Sequence, residues 1–237
     1  MKMQLSKLED KAYETLKRNK IEVFRIKDIC LLIGINKTKA YNLIKSLKRK
    51  RAIESIKKGD FSLRGTNEFI IATSLNWPSY ISFWTSLNYY GFSDQMPQKI
   101  FLASTKYHKE TKQFKYITIS RKRFFGYQNI NGIVIAEKEK AIIDSLLFPK
   151  YSGGISEIIF CIKSGEKRLD INKIVDYALK AESKALIRRL GFILEKLGIK
   201  KTKLLEKNIG EGYELLDPTL KKRNNLNKKW LLDVNIK

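Results

Sequence analysis

One histidine, two cysteines and four prolines in 237 residues narrow what this chain can be. Cys30 and Cys161 are too few for a disulfide framework and lack the paired spacing of a zinc site, so both are expected as small buried apolar residues. The lone histidine, His108, sits in a polar stretch without a cysteine or serine motif beside it, which leaves no arrangement for nucleophilic catalysis. Gly153-Gly154 lacks the lysine and hydroxyl partners of a phosphate-binding loop and reads as a helix entry. No apolar run reaches the ~18 residues of a membrane span, and no basic, apolar and small-residue order marks a secretory leader. The expectation is a cytoplasmic protein without a membrane partner, with no catalytic residue, no metal and no cofactor.

Acidic residues are also scarce. Asp and Glu number 24 against 48 Lys and Arg, a formal net charge of +24, which points to an anionic partner. The first 66 residues hold 18 basic and 7 acidic residues, net +11, and the remainder 30 and 17, net +13, so positive charge is much denser at the N-terminus. A hydrophobic fraction of 43% with 12 Phe, 11 Tyr and 3 Trp supplies enough apolar surface for packed cores, which excludes wholesale disorder. The length suits two unequal domains, expected at 1–66 and 67–237.

The N-terminal part reads as three helices and a hairpin. Leu5, Leu8, Ala12, Tyr13 and Leu16 recur at helical spacing behind Ser6, which forms a capping box with Glu9. A second short helix runs from about Lys27 to Ile33 and stops at Gly34. Asn36 can cap a third helix, whose buried stripe is Ala40, Leu43, Ile44 and Leu47. Its other face carries Lys37, Thr38, Lys39, Tyr41, Asn42, Lys45 and Lys48, donors and one aromatic of the kind that enter a DNA major groove. Strands over 52–56 and 61–64 flank the turn Lys57-Lys58-Gly59-Asp60, with Ile53 and Phe61 inward and Lys57 and Lys58 at the tip, beside a phosphate backbone. The pattern predicts a winged helix-turn-helix that binds double-stranded DNA.

The larger part reads as mixed α/β, for an α+β chain overall. Residues 66–74 are expected as a connector, Pro78 as the first turn of a helix ending at Gly91, and Trp77 and Trp84 as packing residues. Strands over 100–104 and 114–119 are expected as a hairpin across a polar loop, with one further strand over 130–136 and a helix over 139–148 broken by Pro149. Helices follow over 154–162, 171–180 and 183–197, then short extended segments at 213–217 and 230–234. Lys106, Lys109, Lys112, Lys115, Arg121, Lys122 and Arg123 are expected to form a second basic surface.

Several stretches of this part together resemble the AbiEi antitoxins of abortive-infection type IV toxin–antitoxin systems. They are Pro78-Ser79-Tyr80-Ile81-Ser82-Phe83-Trp84 leading to Leu87-Asn88-Tyr89-Tyr90-Gly91, Pro97 before Ile100-Phe101-Leu102-Ala103, and Phe124-Phe125-Gly126-Tyr127. Ala136, Glu139-Lys140-Ala141, Asp144, Leu186 to Gly191 and Leu216-Asp217-Pro218 continue the series. The resemblance implies an antitoxin-type C-terminal domain and an autorepressor that binds inverted repeats upstream of its own operon. It also implies that the protein counters a nucleotidyltransferase toxin encoded next door, without any need for the two to touch.

Two other classes remain open on the residues alone. Asp94 with Glu110 and Lys112 loosely matches the acidic-acidic-x-lysine arrangement of metal-dependent nucleases, which would make the chain a nuclease targeted by its winged helix. A protein-interaction adaptor would use the N-terminal module without salt-sensitive DNA binding.

Overall fold

Polar residues at a few positions decide where the first helices start and stop. The computed structural model describes residues 4–108 and 110–236; of the basic residues singled out above, Lys109 lies outside them. Helix α1 (Lys7–Arg18) opens on the expected capping box, with Ser6 N–H donating to Glu9 Oε2 at 2.6 Å and Glu9 N–H to Ser6 Oγ at 3.4 Å. A short strand β1 (Val23–Arg25) precedes α2 (Ile26–Ile33), which ends at Gly34 with φ +74°, the left-handed conformation that a glycine adopts without steric cost. Helix α3 (Lys37–Arg49) starts at Asn36, whose side chain accepts from Lys39 N–H at 2.9 Å.

Strands β2 (Ile53–Lys57) and β3 (Asp60–Leu63) form an antiparallel hairpin about Lys58-Gly59, and β1 pairs with the other edge of β3, giving the order β1-β3-β2. The three helices and this sheet enclose one core around Leu16, Phe24, Ile29, Leu43, Leu47 and Phe61. The stretch expected as a connector is instead largely helical: α4 (Glu68–Leu75) is capped by Asn67 and contacts β1. The chain divides into two compact units, Met1–Trp77 and Pro78–Lys237, so α4 belongs to the first. Trp77, expected as a packing residue, is 76% exposed.

The second unit centres on a five-stranded sheet of order β6-β5-β4-β8-β7. Pro78 leads into strand β4 (Ser79–Ile81) rather than a helix, since a proline at a strand's start loses no ladder bond, and helix α5 begins only at Phe83 (Phe83–Tyr89). Tyr80 and Phe83 are therefore buried from a strand and a helix. Strands β5 (Ile100–Ser104) and β6 (Phe114–Thr118) run parallel, Ile100 opposite Phe114 and Ser104 opposite Thr118, not as the expected hairpin. Returning to the start of β5 takes about 13 Å, and the connection over 105–113 has roughly twice that reach when extended. Alternation alone carries no strand direction.

The expected single strand over 130–136 is a hairpin, β7 (Tyr127–Ile130) with β8 (Ile133–Ala136). Its two-residue turn, Asn131-Gly132, holds φ +50° and +89°, the pair of positive values that such a turn needs and that Asn-Gly provides. Helix α6 (Lys138–Leu147) crosses the centre of the unit, with residues 139–146 all buried, and is surrounded by α7 (Gly154–Gly165), α8 (Ile171–Lys180) and α9 (Lys184–Lys196). A short α10 (Lys203–Glu206) follows. The last sheet joins β9 (Glu214–Leu215), β10 (Leu226–Asn227) and β11 (Leu232–Asp233) in the order β10-β11-β9.

The stretches that carry the family resemblance lie at structural joints of this unit. Asp144 accepts from Lys140 Nζ, from Tyr80 OH at 2.9 Å and from Ser82 Oγ at 2.7 Å, and all four side chains are fully buried. Phe124 and Tyr127 flank the Tyr80 ring at 5.1 Å each, and the Lys140 ammonium lies 4.9 Å from the Phe125 ring. Arg189 donates to the carbonyls of Leu146, Leu215 and Leu216, tying α9 to the end of α6 and to β9. Asp217 caps α7 through Ile155 N–H at 2.7 Å. These residues hold the unit together.

Candidate nucleic-acid interface

Helix α3 presents two faces of opposite chemistry. Ala40, Leu43, Ile44 and Leu47 are at most 4% exposed and anchor the helix to α1, α2 and β2. Burying the three larger side chains contributes an upper estimate of about 1.5–3 kcal/mol each, enough to hold a helix whose outer face contributes little packing. At 100° per residue, Thr38, Asn42, Lys45 and Arg49 fall opposite that stripe, while Lys37 and Lys39 lie toward its two margins and Tyr41 and Lys48 toward one. All eight side chains are exposed, Tyr41 by 59%. The structure thus gathers Lys37, Thr38, Lys39, Tyr41, Asn42 and Lys45 on one helix and adds Arg49. The same helical spacing that selects Lys45 would have found it.

Electrostatics separate these cations from their neighbours. Glu9 accepts from Ser46 Oγ at 2.6 Å and Lys50 Nζ at 2.7 Å, which joins α1 to α3 and holds the Glu9 carboxyl well below its usual range, at about 2. Asp60 binds Arg25 Nε at 2.7 Å and Lys57 Nζ at 3.6 Å. Lys50, Arg25 and Lys57 therefore serve internal carboxylates. Among the described residues, Lys37, Lys39, Lys45, Lys48 and Arg49 make no ion pair. The first turn of α3 holds two lysines and no acid, the reverse of what the helix dipole favours, at a cost of roughly 0.3–1 kcal/mol per charge. An external anion at that terminus would offset the cost.

At the hairpin tip the two expected lysines part. Lys58 stands exposed in the turn, whereas Lys57 closes β2 and leans on Asp60. Arg25 joins this end of the sheet through β1, a three-residue strand too short to register as periodic in the sequence.

The residues considered for other chemistry do not converge. Glu110 is bound by both Lys99 and Lys115, which lower its pKa to about 2, and Asp94 is an exposed loop residue. Among the described residues no group of three His, Cys, Asp or Glu side chains is placed to hold a metal ion. Cys161 is fully buried and its thiol is pushed up to about 12 by burial and by Glu157, while Cys30 is half-buried. Of the second basic surface, Lys115 is paired with Glu110, Lys122 with Glu182 at 2.5 Å, and Arg123 donates to Ala181 O at 2.9 Å. Among the described residues, no helix is long and apolar enough to cross a membrane.

No family model and no curated protein matches the sequence. In structure the chain is similar to the RV2827C protein from Mycobacterium tuberculosis, with a TM-score of 0.66 at 10% identity over 98% of this chain and 92% of that one. At that identity the similarity is one of fold, a mixed α+β architecture shared along nearly the whole length.

Proposed function

We propose that this chain is a DNA-binding transcriptional autorepressor and the antitoxin of a type IV toxin–antitoxin system. Met1–Trp77 acts as a winged helix-turn-helix: α2, the turn at Gly34 and α3 form the helix-turn-helix, and the β2–β3 hairpin is the wing. The observation that carries this reading is the outer face of α3, where five cations without internal partners surround Thr38, Tyr41 and Asn42. Asn42, Thr38, Lys45 and Arg49 face base edges in the major groove, Lys37 and Lys39 meet flanking phosphates, and Lys58 rests on the backbone beside the wing.

The experiment is fluorescence anisotropy with the DNA immediately upstream of the gene and a scrambled duplex, across a salt series. Tight, sequence-selective binding that weakens steeply with salt is expected, together with its loss in a folded Lys37→Glu/Lys39→Glu double variant. Equal weak binding to both duplexes, or an unchanged affinity in that variant, would remove α3 from the proposal. The antitoxin role rests on the resemblance of the C-terminal stretches to the AbiEi family. It is tested by co-expression: the chain should restore growth to cells expressing a nucleotidyltransferase toxin encoded beside it, with no stable complex required.

A further inference from the structure

The edge strand β6 and the start of α5 border an open hollow of about 550 Å³ in the second unit, within the size range of small-ligand sites. Three of its lining residues are aromatic, Trp84, Phe101 and Tyr151, and all three are held in place. Trp84 Nε1 donates to Ser93 Oγ at 3.0 Å, and Ser93 is in turn bound to Glu157 at 2.5 Å. The Tyr151 ring sits 5.8 Å from Phe101 and 5.9 Å from the buried Phe83. Rings fixed in this way lose little freedom when something stacks on them.

The same hollow is lined by Lys99 and Lys115, which share one carboxylate, Glu110. Two ammonium groups on one carboxylate leave a net positive charge, and each retains donors for another acceptor. A second hollow of about 470 Å³ shares Tyr151, Lys115 and Glu110 with the first and adds Tyr107, which is 82% exposed, and Lys150, whose ammonium lies 4.8 Å from the Tyr151 ring. Aromatic faces beside lysines, repeated along a groove, suit a planar base joined to a phosphate better than a purely apolar ligand, which would leave the lysines unused, or a bare anion, which would leave the rings unused.

We infer that this groove binds a nucleobase carrying a phosphate, either a free nucleotide or part of a single strand, with the base on Trp84 or Tyr151 and the phosphate at Lys99 and Lys115. The site lies within the second unit, whereas α3 belongs to the first. The test uses the full chain carrying Lys37→Glu/Lys39→Glu, which weakens binding at α3, and follows tryptophan fluorescence during titration with a tetranucleotide, a mononucleotide and ribose 5-phosphate. Quenching that disappears in an added Trp84→Phe variant, and that needs about ten-fold more ligand after Lys99→Gln/Lys115→Gln, is the expected result. A tetranucleotide at least ten-fold tighter than the mononucleotide identifies a single strand as the ligand; equal affinities identify a free nucleotide. No quenching at millimolar concentrations, or ribose 5-phosphate binding as well as the base-bearing ligands, overturns the inference. These readings compare ligands on one folded protein, so they stand even if a lysine variant is unstable.

Discussion

Replacing Asp144 with alanine should destabilise the second unit more than almost any other single change, because it strands a cation in a place water does not reach. Lys140 and Asp144 are both fully buried, one turn apart on α6, and Asp144 also accepts from Tyr80 and Ser82. Asp144→Ala leaves the Lys140 ammonium with the Tyr80 hydroxyl at 3.0 Å and the Phe125 ring, neither of which replaces a carboxylate. Breaking a buried pair from one side costs about 3–5 kcal/mol. For a unit of this size that lowers the melting temperature by about 10–15 °C. Removing both charges with Lys140→Met/Asp144→Leu avoids the stranded ion and should recover part of the loss, the rest remaining because the Tyr80 and Ser82 hydroxyls lose their acceptor. Urea melts followed by near-ultraviolet circular dichroism would measure all three proteins. A cost below about 1 kcal/mol for Asp144→Ala, or a double variant no more stable than Asp144→Ala, would refute the idea that the pair is held by mutual charge compensation.

Other outcomes follow from the remaining contacts. Glu9 is depressed from 4.5 to about 2 by Lys50 and Ser46, so its contribution is complete above pH 4.5 and is lost as pH falls toward 2. The shift caps that contribution at about 3 kcal/mol, and screening at half-exposed Lys50 reduces it to about 1–2. Acid melts of the first unit should show this dependence and Glu9→Gln should flatten it; an equally steep profile in Glu9→Gln would show that another group is responsible. In α9, a methyl group on Gly191 would come within 2.0 Å of Trp230 Cζ3, so Gly191→Ala should cost at least about 2 kcal/mol and shift Trp230 emission to the red, as the indole leaves its place; unchanged emission and stability would contradict this packing. If the wing lies on DNA, Lys58→Gln should reduce the salt slope of binding by about one unit, and Lys57→Gln by less because Asp60 already holds that lysine. Equal slopes for the two variants would place both lysines alike.

The N-terminal unit was legible in the sequence because its signals are local. Ser6 with Glu9, Gly34 and Asn36 mark helix ends through bonds to residues at most four positions away, and the stripe of α3 follows a period of 3.6. The seven positions on α3 read as a DNA-facing surface are exposed together for the same reason. What escaped was short or fully enclosed. Strand β1 has three residues, and its partner β3 lies far along the chain. Helix α6 is buried on all sides, so no polar face betrays which of its charged residues pair. Lys140, Glu139 and Asp144 look like a solvated turn until Tyr80 arrives from β4 and Ser82 from the start of α5.

By itself the sequence determined the basic character of the chain, its two-part organisation, the caps and stripes of the first three helices, and the set of residues on the outer face of α3. Tertiary structure alone decided the parallel direction of β6 beside β5, the placing of α4 with the first unit, and which lysines are occupied by internal carboxylates. The first group depends on neighbours in sequence, where residue type and spacing carry the physics. The second depends on partners brought from elsewhere in the chain, as Asp60 is to Arg25 and Asp144 to Tyr80. A lysine's availability to an anion is a property of what packs beside it, and no spacing rule contains that.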